Sequence, residues 1–249
     1  MATSTYLIVG LGAALAGFVQ GLSGFAFGLT AMSIWAWVID PQLAAVLAVI
    51  GGLTGQVVAA LSVRRGFDLA RLAPFLLGGI AGVPLGTALL PHLDIDWFKT
   101  GLGGFLVLWC PAMLLSKDLP RITSGGRFAD ALAGLFGGVG GGLGGFSGTL
   151  PTLWCTLRGY ERDVQRGIIQ NFNLAMLVVT LTAYLVSGLV TRSALPMVAV
   201  VLPAMLIPAL LGTRIYVGLS ETGFRKLVLG LLTLSGLVLL SSGLPKLLT

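Results

Sequence analysis

The chain has 249 residues, 56% of them hydrophobic and 10% charged, with a mean hydropathy of +0.98 and a net charge of +6. Soluble domains keep about a quarter of their residues charged to solvate the surface, so a chain this apolar must face lipid. Its basic residues lie singly or in small groups between long apolar segments, the distribution of membrane loops, which excludes nucleic-acid binding.

Glycine is the other outlier, at 37 residues. Small residues let membrane helices approach closely. Met1 to Tyr6 carries no Lys or Arg, and the apolar stretch behind it is longer than a signal-peptide core, so no cleaved signal is expected. Cys110 and Cys155 sit inside apolar segments without metal-ligand spacing and read as small core residues. No metal or other cofactor is expected.

In chain order the apolar blocks run over 5–38, 44–63, 72–90, 98–116, 129–157, 167–188, 193–212 and 226–243. Six of them match the ~20 helical residues that cross a bilayer. The first and fifth are too long for one crossing. Both carry a glycine-rich break, Gln20-Gly21-Leu22-Ser23-Gly24-Phe25 in the first and Gly142-Leu143-Gly144-Gly145-Phe146-Ser147-Gly148 in the fifth. Glycine frees the backbone for a reversal or an unwound segment there.

The breaks belong to a longer recurrence. Gly21-Leu22, Gly24-Phe25 and Leu29 return 121 positions later as Gly142-Leu143, Gly145-Phe146 and Leu150. Gly86-Thr87, Phe98-Lys99 and Gly104 return 126 positions later as Gly212-Thr213, Phe224-Arg225 and Gly230. The predicted fold is therefore all-α and polytopic, with two repeats, 1–116 and 129–249, joined by a cytoplasmic linker over 117–128. Each repeat is a broken hairpin, 5–38 or 129–157, plus three spans.

Loop charge chooses the topology. If every block crosses once, the alternating loops hold eight and seven basic residues and give no orientation. If the first and fifth blocks fold back at their breaks, twelve basic residues share one side: Arg64, Arg65, Arg71, Lys117, Arg121, Arg127, Arg158, Arg162, Arg166, Arg214, Arg225 and Lys226. Lys99, Arg192 and Lys246 remain opposite. The positive-inside rule selects the second arrangement, with basic loops cytoplasmic and both termini outside. Each half then crosses an odd number of times, which inverts the second relative to the first. Re-entrant hairpins and pairs of short tilted crossings fit equally.

Both hairpin tips reach the midplane in this arrangement. After each break a half-helix begins with free N–H groups, and opposed N-termini in low dielectric favour an anion. Ser23 and Ser147 add hydroxyl donors, and Gln20, Gly21, Gly24, Phe25, Gly145, Phe146 and Gly148 complete the tips. Among polar residues inside spans, Gln56 and Asn173 lie closest to mid-span; Thr54, Gln170, Asn171 and Thr180 are the others. Asn171 and Asn173 face different sides of one helix. No Asp, Glu, Lys or Arg lies near the centre of any block, so no buried proton relay is visible. Coupling then uses the loops, an ion at backbone carbonyls, or protonation of the substrate. Arg158, Arg162 and Arg166 read first as topology determinants and second as anion recruiters.

The sequence resembles the TauE/SafE family, the sulfite exporter family of bacterial membrane proteins. The resemblance rests on Gly17-Phe18-Val19-Gln20-Gly21-Leu22-Ser23-Gly24-Phe25 with the span after it, on Gly137 to Gly148, on Arg166 to Asn173 and on the duplication. It implies a secondary transporter in the bacterial inner membrane that exports sulfite or an organosulfonate. Its partners would be that small anion, the lipid bilayer and a coupling proton or ion. The second tip has Gly144 where the first has Ser23, so the two need not bind identically.

Other readings are weaker. A passive anion channel or uniporter also accommodates broken helices. Gly21-Leu22-Ser23-Gly24 fits the GxSG pattern of intramembrane serine proteases, but the single histidine, His92, falls in an outer loop. Dinucleotide binding at Gly140 to Gly145 lacks the strand and acidic residue that chemistry needs.

Overall fold

The computed structural model describes residues 3–62, 66–115, 121–122, 124–215 and 221–248. It is 86% helix, with no strand among these residues. The helices are α1 (Thr3–Ser23), α2 (Phe27–Trp35), α3 (Pro41–Ser62), α4 (Leu69–Leu89), α5 (Ile95–Leu115), α6 (Gly126–Gly144), α7 (Thr149–Leu157), α8 (Arg162–Val186), α9 (Leu195–Ile215) and α10 (Glu221–Leu248). Single tight turns, Leu90–His92 and Arg192–Ala194, extend α4 and precede α9. Of the twelve loop cations, Arg64, Arg65 and Lys117 lie outside the described residues.

Six helical segments are long and apolar enough to cross a membrane: Thr3–Ser23, Pro41–Leu61, Leu69–His92, Asp96–Leu115, Val164–Val186 and Arg192–Thr213. The chain is thus a multi-pass membrane protein. Among the described residues the set draws nothing from the fifth and eighth apolar blocks, and takes only the leading arm of the first. The long first block divides unevenly, so α1 alone spans about 31 Å, while the nine residues of α2 reach only about 14 Å. The fifth block divides likewise into 19 and nine residues. Each hairpin has one long arm and one short arm, and of the two long arms only α1 is among the candidate spans.

Acidic caps start three of the helices. Asp40 Oδ1 accepts N–H bonds from Gln42 and Leu43 just before Pro41, a proline at the first helical position. Asp68 caps α4 through the Arg71 N–H, and Asp94 caps α5 through those of Asp96 and Trp97.

Glycine seams join each hairpin to a helix of the other half. On α4, Gly78, Gly82 and Gly86 recur every fourth residue, as do Gly134, Gly138 and Gly142 on α6. The seam is so close that a Cβ on Gly82 would stand 2.1 Å from the Leu135 carbonyl oxygen, and one on Gly138 2.2 Å from that of Gly79. The same device joins α1 to α9, where a Cβ on Gly21 would meet the Ala209 oxygen at 2.1 Å. At the ends of the seams Gly86 faces Gly142 and Gly212 faces Gly21, Cβ to Cα at 3.0 and 3.2 Å. These are the glycines that recur in sequence, meeting as two equivalent pairs. Among the other cross-half packings, α3 on α8 and α5 on α10 join helices of equal rank, and α4 on α8 is matched by α3 on α9.

Candidate functional site

The first tip begins where Gly24 takes a left-handed φ of +83° and its N–H bonds back to the Gln20 carbonyl at 2.7 Å. A side chain is strained in that conformation, which is why the turn falls on glycine. Ser23 Oγ accepts the N–H groups of Phe25 and Ala26 at 3.4 and 3.2 Å. No side chain caps α2 itself, so its first N–H groups present the positive end of the half-helix. From α3, Gln56 Nε2 donates to the Gly24 carbonyl. One turn earlier Gly52 accepts from Gln20 Nε2 at 2.9 Å. That bond fixes the Gln20 amide and leaves its Oε1 buried without a donor among the described residues.

The second tip uses the same turn. Gly145 has φ +73°, its N–H bonds to the Gly141 carbonyl at 2.8 Å, and the Phe146 N–H reaches that of Gly140 at 3.3 Å. Ser147 Oγ donates to Asn173 Oδ1 at 2.6 Å. The Tyr184 hydroxyl donates to the Gly142 carbonyl at 2.7 Å. No side chain caps α7 at Gly148.

The two tips pass each other at the centre of the molecule. A Cβ on Gly28, in the first turn of α2, would stand 2.6 and 2.7 Å from the carbonyl oxygens of Gly145 and Gly144; one on Gly148 would stand 3.1 Å from the Phe25 ring. Gly145 abuts Val49 of α3 and Leu177 of α8, whereas Gly24 abuts Gln56 and Gln170 of the same helices. From one tip to the other, numbering rises along α3 and falls along α8, so these helices run antiparallel. The tips overlap by about 10 Å, seven residues of helix. Gln56 and Ser147 are fully buried, and Gln20 and Asn173 nearly so.

Most of the residues expected from sequence gather here, with some differences. Gly21 turns away from the crossing into the α9 seam. The Phe146 ring folds back over Gly140 and Gly144 rather than toward the first tip. The serines are committed elsewhere: Ser23 Oγ accepts backbone bonds at its own tip, and the Ser147 proton goes to Asn173. The half-helix starts also do not simply oppose each other, since α2 begins against the carbonyl end of α6. Asn171 points away and donates to the Gly66 carbonyl at 3.0 Å.

The site also takes in residues the sequence reading left aside. Gln170 lies against Gly24, where a Cβ would meet its Nε2 at 3.0 Å, and Thr180 lies beside Gly141 at 3.3 Å. Gln170, Asn173, Leu177, Thr180 and Tyr184 are spaced three or four apart and form one stripe of α8. That spacing was the available signal. At the base of the second hairpin Asp130 is buried; its Oδ1 accepts the Trp154 Nε1–H at 2.6 Å and lies 3.5 Å from Arg158 Nε.

Ser147→Ala would leave the Asn173 oxygen buried without its donor, which destabilises by about 1–3 kcal/mol. Thermal unfolding of the purified protein measures this, and an unchanged midpoint would show that the bond holds nothing.

A family model, sulfite exporter TauE/SafE, matches residues 9–239. The chain belongs to the sulfite exporter TauE/SafE family. The match covers both hairpins and nearly the whole chain, and it makes this a membrane transport protein of the sulfur-anion class. No curated protein and no solved structure matches the chain.

Proposed function

We propose that this TauE/SafE protein is a secondary transporter that exports sulfite or an organosulfonate across the bacterial inner membrane by alternating access. The observation that carries the reading is the crossing of two broken-helix tips, each held by a buried amide, Gln56 on the first and Asn173 on the second. Uncapped N–H groups of α2 and α7 supply partial positive charge there, and the nearby polar side chains Gln56, Gln170 and Asn173 are neutral. Dipoles of this kind bind an anion without the cost of burying a full cation, and release it readily.

The motion follows from the seams. Hairpin α1–α2 moves with α9, hairpin α6–α7 moves with α4, and the two bundles rock about the antiparallel pair α3 and α8. That antiparallel pair supports inverted repeats, and loop charge supports a reading with the basic loops in the cytoplasm and both termini outside. With Gln56 and Ser147 fully buried, the tips are closed to both faces, and rocking opens one face at a time.

The test is labelled sulfite flux in proteoliposomes, with taurine, sulfoacetate, sulfate and chloride as competitors and with imposed pH gradients. Saturable flux that responds to the gradient is expected. Flux that rises linearly without saturating would replace the transporter with a channel. No flux of any of these anions through folded protein would end the transport reading.

A further inference from the structure

Away from the tips, one cation sits where physics disfavours it. Lys99 is 8% exposed. Its Nζ lies 5.3 Å from the centre of the Trp37 ring, and no carboxylate among the described residues comes within ion-pair distance. Lys99 is also the fifth residue of α5, close to the positive end of that helix. Asp40 and Asp94 each turn a carboxylate oxygen to the N–H groups of α3 and α5, and Asp96 stands three residues before Lys99 in the first turn of α5. A buried ammonium needs a counter-charge, and an indole face supplies only part of one.

The other hairpin shows the same situation resolved. Its short arm ends at Arg158, whose guanidinium stacks on Trp154 and Tyr160 and has the carboxylate of Asp130 at 3.5 Å. The short arm of the first hairpin ends near Trp37 and Lys99, and among the described residues no carboxylate pairs with that cation. Trp37 is 43% exposed, which leaves a way in to the ammonium. A basic residue also recurs at this register, because Phe98-Lys99 returns as Phe224-Arg225 in the first turns of α10.

We propose that Lys99 and Trp37 form a second anion-docking point, at the outer end of the first hairpin, for a small oxyanion of the sulfite class. The ammonium carries three N–H donors, more than the face of one indole takes up. The length of α2, about 14 Å, separates this point from the tips, so it acts after release from them and before escape. The identity of the anion rests on the transport reading; the docking point itself does not.

The experiment titrates the full chain in nanodiscs with sulfite, and with sulfate and chloride at matched ionic strength, while following tryptophan emission. A saturable change that disappears in Trp37→Phe is expected. Lys99→Arg should keep it, and Lys99→Gln should weaken half-saturation about tenfold, the effect of losing one charge-assisted contact. In proteoliposomes Lys99→Gln should raise half-saturation about tenfold for sulfite offered at the Lys99 face and leave the opposite face unchanged. Wild-type protein without a Trp37-dependent signal, or Lys99→Gln titrating as wild type, overturns the docking point. If Lys99→Gln does not fold, the decision passes to Trp37→Leu, whose unchanged half-saturation at that face overturns it as well. A Trp37 signal with no wild-type flux would sink the transport reading and leave the docking point standing. Normal flux with an indifferent Lys99→Gln would do the reverse.

Discussion

Gly28→Ala is expected to destabilise the protein by about 1–3 kcal/mol and to reduce sulfite flux at least tenfold, whereas Gly101→Ala stabilises it by up to about 1 kcal/mol. The two substitutions add the same methyl group to a helical glycine, so the difference isolates the surroundings. At Gly101 nothing lies within 4 Å of the new carbon. At Gly28 its neighbours are the Gly145 and Gly144 oxygens at 2.6 and 2.7 Å and the Gly145 carbonyl carbon at 2.7 Å. All three are backbone atoms of the opposite tip. No rotamer change relieves that contact; one hairpin must move off the other. Thermal unfolding and proteoliposome flux on both variants check this, and equal behaviour of the two would mean that the tips do not need their close approach.

Asp130→Ala is expected to cost about 3 kcal/mol, the lower end for breaking a buried ion pair by removing one partner. The Asp130 side chain is 4% exposed and that of Arg158 16%, so solvent screens little of the interaction. Arg158 keeps the faces of Trp154 and Tyr160, which limits the loss. Trp154 loses the acceptor of its indole N–H. The arms of the second hairpin are pinned together at this point, one residue coming from the start of α6 and the other from just beyond α7. Its release therefore reduces flux as well as stability. The double variant Asp130→Leu with Arg158→Met removes both charges and should recover most of the lost stability. A double variant no better than the single one would show that steric fit, not charge, holds the base of the hairpin.

Much of this architecture could be read from residue order because it depends on local rules. An apolar chain with few charges has to be helical in lipid, since every backbone polar group must be satisfied within the segment. The turns fall on Gly24 and Gly145 because a left-handed φ is nearly free only at glycine. Asp40-Pro41 announces the start of α3 through a side-chain cap and a fixed φ.

What escaped the sequence depends on packing. Residues 27–39 are as apolar as any span, so hydropathy does not reveal that the second arm stops after nine residues. Asp130 stands near the beginning of a block and reads as a loop charge until Arg158 and Trp154 are found around it. Ser23 and Ser147 could each donate or accept, and only their neighbours decide which. Gln170 looked like one amide among several, because its distance from Gly24 is set by how α8 passes the first tip.

The paired glycine contacts have an evolutionary consequence. Gly21 touches Gly212 and Gly86 touches Gly142, so a position in one half meets the counterpart of its own later partner in the other. This reciprocity is the mark of an isologous interface, in which two identical chains present the same patch to each other. In a dimer of half-length chains, any substitution at such a position would strike both contacts together. In a single chain the two contacts are separate positions, and each can vary on its own. The neighbourhoods of the two tips differ in this way. In the first half a long side chain, Gln20, reaches from the hairpin onto Gly55; in the second the hairpin contributes Gly141 and the side chain, Thr180, comes from the facing helix.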